Sequence, residues 1–361
     1  MEDVVARAMP NALANDLDHV LSQASGLWED LRNARVFITG GTGFFGCWLL
    51  ETLLWANDRL RLNASVVVLT RDPSSFVKKV PHLASHPVVT VHDGDVRTFE
   101  FPNGAFSHVI HAAVDAARPQ NQEDRVRVFD TIAGGTRHAL EFARHCGAKR
   151  FLLTSSGAVY GRQPTELTHV PEDYAGGPDP SDRDLAGAEA KRAAEMLCAV
   201  HANGELQPTI ARCFAFVGPY LPLDAHFAVG NFIRDALQGG PICIRGDGTP
   251  YRSYLYAADL AVWLWTILVR GQSMRPYNVG SETAITIADV ARAVARTFAP
   301  EPEVRTARTA TAEAAAADRY VPCTARGREE LGVAMTVDLD EALKRTVDWH
   351  RRRLTPAHVE D

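Results

Sequence analysis

Residues 35–46 read RVFITGGTGFFG. The first five are β-branched and aromatic with one arginine, and they run straight into glycine. That composition predicts a strand buried on both faces. From Phe45 to about Trp55 apolar residues recur at helical spacing. The join between strand and helix carries Gly40, Gly43 and Gly46, a GxxGxxG pattern. In such a turn one glycine takes positive φ, a second lets the backbone approach a pyrophosphate, and a third lets helix and strand pack closely. The helix start then offers free N–H groups and the positive end of its dipole to phosphate. A glycine triplet alone says little; between a strand and a helix it points to a dinucleotide site.

The pattern continues outward from that turn. SVVVLT (65–70), VVTVHDGD (88–95), SHVIHAA (107–113) and RFLLTSS (150–156) read as buried strands, with a helix over 136–146 before the last. Strand and helix alternate as in βαβ units, which predicts a parallel sheet covered on both faces. After Tyr160 the chain becomes rich in Pro, Gly and Asp to residue 184 and reads as loop. A helix over about 185–201 follows. PTIARCFAFVG (208–218) reads as a sixth strand, then come a helix near 230–238, the strand PICIRG and a helix over 258–269. Residues 12–32 have the spacing of one or two amphipathic helices, and 307–318 is low in complexity.

Composition narrows the function classes. The 361 residues are 46% hydrophobic and 23% charged, with a net charge of −6, as in a soluble protein with a large core and no nucleic-acid surface. Six scattered cysteines without a CxxC pair predict reduced thiols and a cytoplasmic setting. The acidic start is no signal peptide. The longest apolar run, 257–269, is broken by Asp259 and too short to span a membrane. HLASH (82–86) has an HxxxH spacing but lies between prolines without a third ligand, so no metal site is expected.

TGGTGFFG, with GDV (94–96), HAA (111–113), LTSSGAVYG (153–161), the KRAAE containing Lys191, GDGTPYRSYLYAADLA (246–261) and YNVGSETAITIADVA (277–291), resembles the extended short-chain dehydrogenase/reductase superfamily, in its NAD-dependent epimerase/dehydratase, nucleotide-sugar-modifying family. The resemblance runs from Val36 to His350. It implies an α/β fold: a Rossmann-type doubly wound parallel sheet, a smaller C-terminal substrate-binding α/β lobe and an N-terminal helical extension. The expected division is 1–33 for the extension, 34–205 plus parts of 206–290 for the cofactor domain, and 218–255 with 292–361 for the lobe. Gly40, Thr42, Gly43, Phe44, Phe45 and Gly46 would hold the pyrophosphate. Asp95 and Val96 would meet the adenine, Ala112 and Ala113 would line the cofactor through their backbone, and Thr154 would join them. Where an NAD enzyme usually has an acid at the end of the second strand, this chain has Thr70 followed by Arg71. That favours NADP slightly within an NAD(P) expectation, with Asp72 keeping NAD open.

In the family a serine or threonine after the fifth strand holds the substrate hydroxyl. A tyrosine acts as acid and base, and a lysine four residues on bonds the nicotinamide ribose and lowers the tyrosine pKa. Ser156 and Lys191 match, and Glu195 completes K-x-x-x-E. The tyrosine position is Gly187. Three readings follow. Another group supplies the proton, with Tyr160, Tyr174, Glu189 and Asp184 as candidates; the proton comes from substrate or water; or the chain binds nucleotides without redox turnover. Gly157 and Ala158 stand where dehydratases and decarboxylases of this family have acids, so SSGAVYG is nearer the epimerase and reductase pattern.

The resemblance therefore implies hydride transfer at a carbon of a nucleotide-activated sugar with an atypical acid/base. A binding protein without turnover and a reductase of a non-sugar natural product are the alternatives. Asn231, Arg252 and Arg319 would reach the nucleotide diphosphate, with Tyr320 beside them, while Ala215 replaces a polar residue of the base pocket. The family commonly pairs through the helix before the fifth strand and the helix carrying Lys191, which implies a homodimer. No membrane or nucleic-acid partner is expected.

Overall fold

The computed structural model describes residues 11–114, 121–225, 227–308 and 318–354. Six strands follow the expected runs: β1 (Arg35–Thr39), β2 (Ser65–Thr70), β3 (Val89–Asp93), β4 (His108–His111), β5 (Arg150–Ser156) and β6 (Gln207–Cys213). With Pro276–Val279 they form one seven-stranded sheet in the order 276–279, β6, β5, β4, β1, β2, β3, with every pairing parallel. The order reverses between β1 and β4, where Thr39 stands beside His111. In a doubly wound sheet the ligand crevice opens at such a switch point, outside the carboxyl ends of the strands.

The helices along this part of the chain are α1 (Ala14–Gln23), α2 (Phe44–Leu60), α3 (Pro73–Lys79), α4 (Pro81–Ala84), α5 (Gln122–His145) and α6 (Ala186–His201). Two large apolar clusters flank the sheet, one containing Val36, Ile38 and Trp48, the other Phe37, Phe142 and Ala190. The alternation of Val36, Phe37 and Ile38 between them explains why β1 must be apolar on both faces. α1 packs on α2 and on the helix Ala257–Arg270. Its buried Asp16 accepts hydrogen bonds from Tyr256 at 2.6 Å and Arg345 at 2.5 Å, so the N-terminal extension is seated in the main core.

Three elements depart from the sequence reading. α5 starts at Gln122, well before residue 136, because the Asn121 side chain caps it by accepting from Asp124 N. The run 208–218 is two strands, since β6 ends at Cys213 and a separate two-residue strand, Phe216–Val217, pairs with Leu255–Tyr256. The strand Pro276–Val279 at the sheet edge lies in a motif that carries no strand signal of its own length. Most of the low-complexity run 307–318 lies outside the described residues.

Beyond the sheet come the helices Ala228–Leu237, Ile287–Ala295, Ala325–Leu331 and Leu339–Leu354. Short strands accompany them: Ile242–Ile244 pairs with Val304–Thr306, and Tyr251–Arg252 lies between Ile285–Thr286 and Arg319–Tyr320.

Candidate active site

The glycine turn closes as its spacing requires. Gly40 has φ +72°, and a Cβ there would lie 2.6 Å from the backbone of Ala112 and Ala113. A Cβ on Gly46 would lie 2.3 Å from Gly41 Cα, so α2 sits directly on the turn. Gly43 is the N-cap and supplies no side-chain cap, which leaves the first-turn N–H groups of Phe44, Phe45 and Gly46 without a capping side chain. Lys79 Nζ donates to Thr42 O at 2.8 Å and adds positive charge beside the turn. A pyrophosphate fits this cradle: close backbone approach, free N–H donors, a helix dipole and a nearby ammonium.

Behind the turn, Thr39 Oγ1 accepts from Ala113 N at 3.2 Å and contacts His111 Nδ1 at 2.8 Å. His111 Nε2 contacts Thr136 Oγ1 at 3.0 Å. With both ring nitrogens engaged and the ring buried, burial pushes the imidazole down to about 3, so it stays neutral. His111 is a packed strand-end group that fixes the Ala112–Ala113 loop against the cofactor crevice.

Past the end of β3, where the adenine was expected, Asp95 accepts from Arg97 Nε and Nη2, both at 2.9 Å, and this pairing holds its carboxyl below the usual range. The Val96 side chain packs under α5 at Gly135. Thr70 is buried and accepts from Asp72 N at 3.2 Å. The Asp72 carboxylate caps α3 by accepting from Ser75 N at 2.8 Å, and Arg71 is exposed. The strand therefore ends in a neutral hydroxyl and a projecting cation.

On β5 and α6 the residues expected to be catalytic divide. Lys191 Nζ donates to Thr154 O at 2.6 Å; its burial pushes the ammonium down to about 8. Ser156 caps a short 3₁₀ turn by accepting from Ala158 N at 3.1 Å. Gly187 opens the first turn of α6, and a Cβ there would meet only Val128 Cγ1, at 3.5 Å. Among the described residues a Cβ at the position of the missing tyrosine makes only an ordinary van der Waals contact. Ser155 Oγ donates to Glu195 at 2.5 Å, and Glu195 in turn holds Arg212, whose Nη2 lies 2.7 Å away.

That arginine disposes of one sequence candidate. Tyr160 is buried, accepts from Arg212 Nη1 at 2.9 Å and donates to Asn278 Oδ1 at 2.8 Å. Burial pushes its hydroxyl up to about 12. Tyr160 is therefore a structural junction, with both hydrogen-bonding directions of its hydroxyl in use. Tyr174 lies beside it, ring centroids 6.2 Å apart, and folds over Gly176. Asp184 pairs with Arg125 at 2.6 Å and Glu189 faces Arg192 at 3.7 Å.

The hydroxyl that meets Ser156 belongs to Tyr320. Its oxygen lies 3.3 Å from Ser156 Oγ and 3.4 Å from Cys213 O, and its ring packs against Phe214 at a tilt of 39°, centroids 4.6 Å apart. Phe214 in turn occupies the space beside Gly157, where a Cβ would lie 2.7 Å from the ring. A side chain at 157 would require the Phe214 ring to move. The sequence placed Tyr320 only near the nucleotide, because a contact spanning 164 residues leaves no local pattern.

Of the expected substrate residues, Asn231 lines a cleft of about 740 Å³ with Phe232, Asp235, Ile244, Arg245 and Asp247. Its Oδ1 accepts from Arg234 Nη1 at 2.9 Å. Arg252 and Arg319 are not in that lining. Arg252 pairs with Asp318 at 2.8 Å, and the Arg319 guanidinium lies 4.1 Å over the Tyr251 ring. His82 and His86 face different carboxylates, Glu51 at 2.7 Å and Asp58 at 3.4 Å.

A glycine cradle at the switch point of a parallel sheet, with serine and buried lysine at the end of the fifth strand, defines a dinucleotide-binding protein of the extended short-chain dehydrogenase/reductase type. The chain belongs to the NAD dependent epimerase/dehydratase family, whose model matches residues 36–280. It is 31% identical over 274 residues to UDP-glucuronic acid decarboxylase 2 of Arabidopsis thaliana, covering 76% of this chain and 59% of that protein. To decarboxylase 1 of the same plant it is 29% identical over 324 residues, covering 90% of this chain and 71% of that one. Among solved structures, UDP-glucose 4-epimerase from Thermotoga maritima, with UDP-glucose, superposes with a TM-score of 0.73 at 21% identity, covering 89% of this chain and all of that one. UDP-glucuronic acid 4-epimerase from Bacillus cereus, in complex with UDP-glucuronic acid and NAD, gives 0.74 at 20% identity, with 89% of this chain and 100% of that one covered. These superpositions establish the shared fold.

Proposed function

We propose that this chain binds NAD(P) in the Gly40–Gly46 cradle and carries out hydride transfer at a carbon of a nucleotide-activated sugar, as an epimerase or reductase. The carrying observation is the placement of Ser156 and Lys191 at the carboxyl end of β5, on the crevice side of the sheet that the glycine turn also faces. The dinucleotide would supply and accept the hydride. Lys191 would orient its ribose, and Ser156 would hold the substrate oxygen. The cleft around Asn231 is of a size for a nucleotide, in the range of ordinary ligand pockets. Curated relatives named as UDP-glucuronic acid decarboxylases favour a sugar nucleotide as the ligand. Gly157 and Ala158, with Phe214 filling the space of a side chain at 157, argue against elimination or decarboxylation assisted by a carboxylate there.

The test is to incubate the purified protein with a panel of UDP- and dTDP-sugars, follow the bound dinucleotide by its near-ultraviolet absorbance, and assign product stereochemistry by NMR. Conversion of at least one sugar supports the reading. Tight dinucleotide binding with no change in any sugar favours the non-redox alternative, to which Gly187 lends weight. Thr70 and Arg71 favour NADP through a neutral strand end beside an exposed guanidinium. Arg71→Ala is expected to weaken NADP+ binding about tenfold, of the order of one charge-assisted contact, while leaving NAD+ within about threefold, read by calorimetry.

A homodimer formed through α5 and α6 accompanies this reading. The two helices pack side by side, and Val126 and Phe129 on one and Met196 and Val200 on the other are exposed. Val200→Asp should shift the protein to monomer in light scattering; an unchanged mass would argue against this face.

A further inference from the structure

We propose that Tyr320, delivered from the C-terminal part of the chain, is the phenol that moves the proton at the reacting oxygen, in place of the side chain absent at Gly187. This inference rests on the hydride-transfer reading above.

Ser156 Oγ and Tyr320 Oη are 3.3 Å apart. Two hydroxyls at that separation can both donate to a single oxygen placed between them at the mouth of β5, which is the geometry that an oxyanion or carbonyl oxygen needs. Ser156 already accepts from Ala158 N, so its proton is free to point outward. The phenol is held from three sides: Phe214 packs against its ring at a tilt, its strand pairs in parallel with Tyr251–Arg252, and its hydroxyl reaches Cys213 O at 3.4 Å. Several of the other groups are already engaged. Tyr160 is saturated by Arg212 and Asn278, His111 by Thr39 and Thr136, and Asp184 and Glu189 by arginines.

Burial pushes the Tyr320 hydroxyl up to about 12; Arg252 opposes this and Cys213 adds to it. At neutral pH the residue is therefore a phenol and a proton donor. In the reducing direction the Tyr320 O–H bond breaks and a substrate O–H bond forms as the carbonyl carbon receives hydride from the reduced nicotinamide dinucleotide, which is thereby oxidised; water then reprotonates the phenolate. In the oxidising direction the substrate O–H bond breaks to the phenolate, the carbinol C–H bond breaks as its hydride passes to the oxidised dinucleotide, and a carbonyl forms. The raised pKa keeps the resting group protonated and makes the phenolate, once formed, a strong base.

The test uses the full chain, with Tyr320→Phe keeping the ring and its packing. Tyrosines labelled at Cζ give a carbon resonance that vanishes in Tyr320→Phe. That resonance should move on adding NAD(P)+ and titrate at a lower pH than in the free protein; one indifferent to dinucleotide overturns the proposal, whatever the substrate. With a converted sugar nucleotide, Tyr320→Phe should lose about 10²-fold or more in kcat with KM within about threefold. Adding Gly187→Tyr to Tyr320→Phe should restore at least about tenfold of that loss. Turnover of Tyr320→Phe within about threefold of wild type overturns the role of Tyr320 and leaves the nucleotide-sugar reading standing. A Tyr320 signal that responds to dinucleotide while no sugar nucleotide is converted supports the residue and overturns that reading.

Discussion

Two residues of the expected catalytic strip have consequences for stability as well as chemistry. Gly187 sits in the first turn of α6, where a Cβ would make only an ordinary van der Waals contact. A glycine inside a helix costs about 1 kcal/mol relative to alanine, so Gly187→Ala is expected to raise unfolding free energy by up to about that amount in urea titrations. Lys191 acts in the opposite sense. Burial lowers its pKa from the ordinary 10.5 to about 8 in the folded chain. Between those values the unfolded chain holds the extra proton, so this group's contribution makes stability rise with pH across that window. Below about 8 both states are protonated and the cost of burying the charge is complete. Lys191→Met should therefore be more stable than wild type at pH 7, without cofactor, and the difference should shrink as pH approaches 10.5. Lys191 was legible in the sequence because KRAAE matches the K-x-x-x-E pattern of the family that the chain resembles. Tyr320 was legible only as a neighbour of Arg319, because its partnership with Ser156 is made by the tertiary fold.

Among elements, the turn from β1 into α2 is the least tolerant of added atoms. Gly46→Ala would press a methyl group to within 2.3 Å of Gly41 Cα. Overpacking of this kind costs about 1–3 kcal/mol, and any backbone shift that relieves it opens the phosphate cradle. The expected outcome is a lower melting temperature together with at least about tenfold weaker dinucleotide binding, measured on the same sample. Strands β1 to β5 could be read from the sequence because each is a short apolar run on a sheet covered on both faces. The break after Cys213 could not: FAFVG continues the apolar composition while the chain leaves one sheet to pair with Leu255–Tyr256 in another. The early start of α5 was hidden by a polar first half, its signal being a single capping asparagine.

For the whole molecule, Arg212 is the residue through which the sheet, α6 and the C-terminal part of the chain meet. It holds Glu195 on α6, Tyr160 after β5 and the Glu172 carbonyl; Tyr160 continues to Asn278, which reaches the Val170 and Cys323 carbonyls at 2.9 Å. Both side chains of the Arg212–Glu195 pair are largely buried, 15% and 13% exposed. Breaking such a pair from one side leaves an uncompensated charge, so Arg212→Leu should cost about 3–5 kcal/mol in denaturant unfolding.

The crowding between Phe214 and a side chain at Gly157 also constrains sequence change. An acid entering position 157 displaces the Phe214 ring against which Tyr320 packs. Shrinking that ring first removes the surface against which Tyr320 packs. A lineage moving between this arrangement and one with a carboxylate after the fifth strand must therefore cross an intermediate in which neither proton-handling group is properly seated. Single-step mutational scans at 157 should find a dead end, and only paired libraries at 157 and 214 should find a passage.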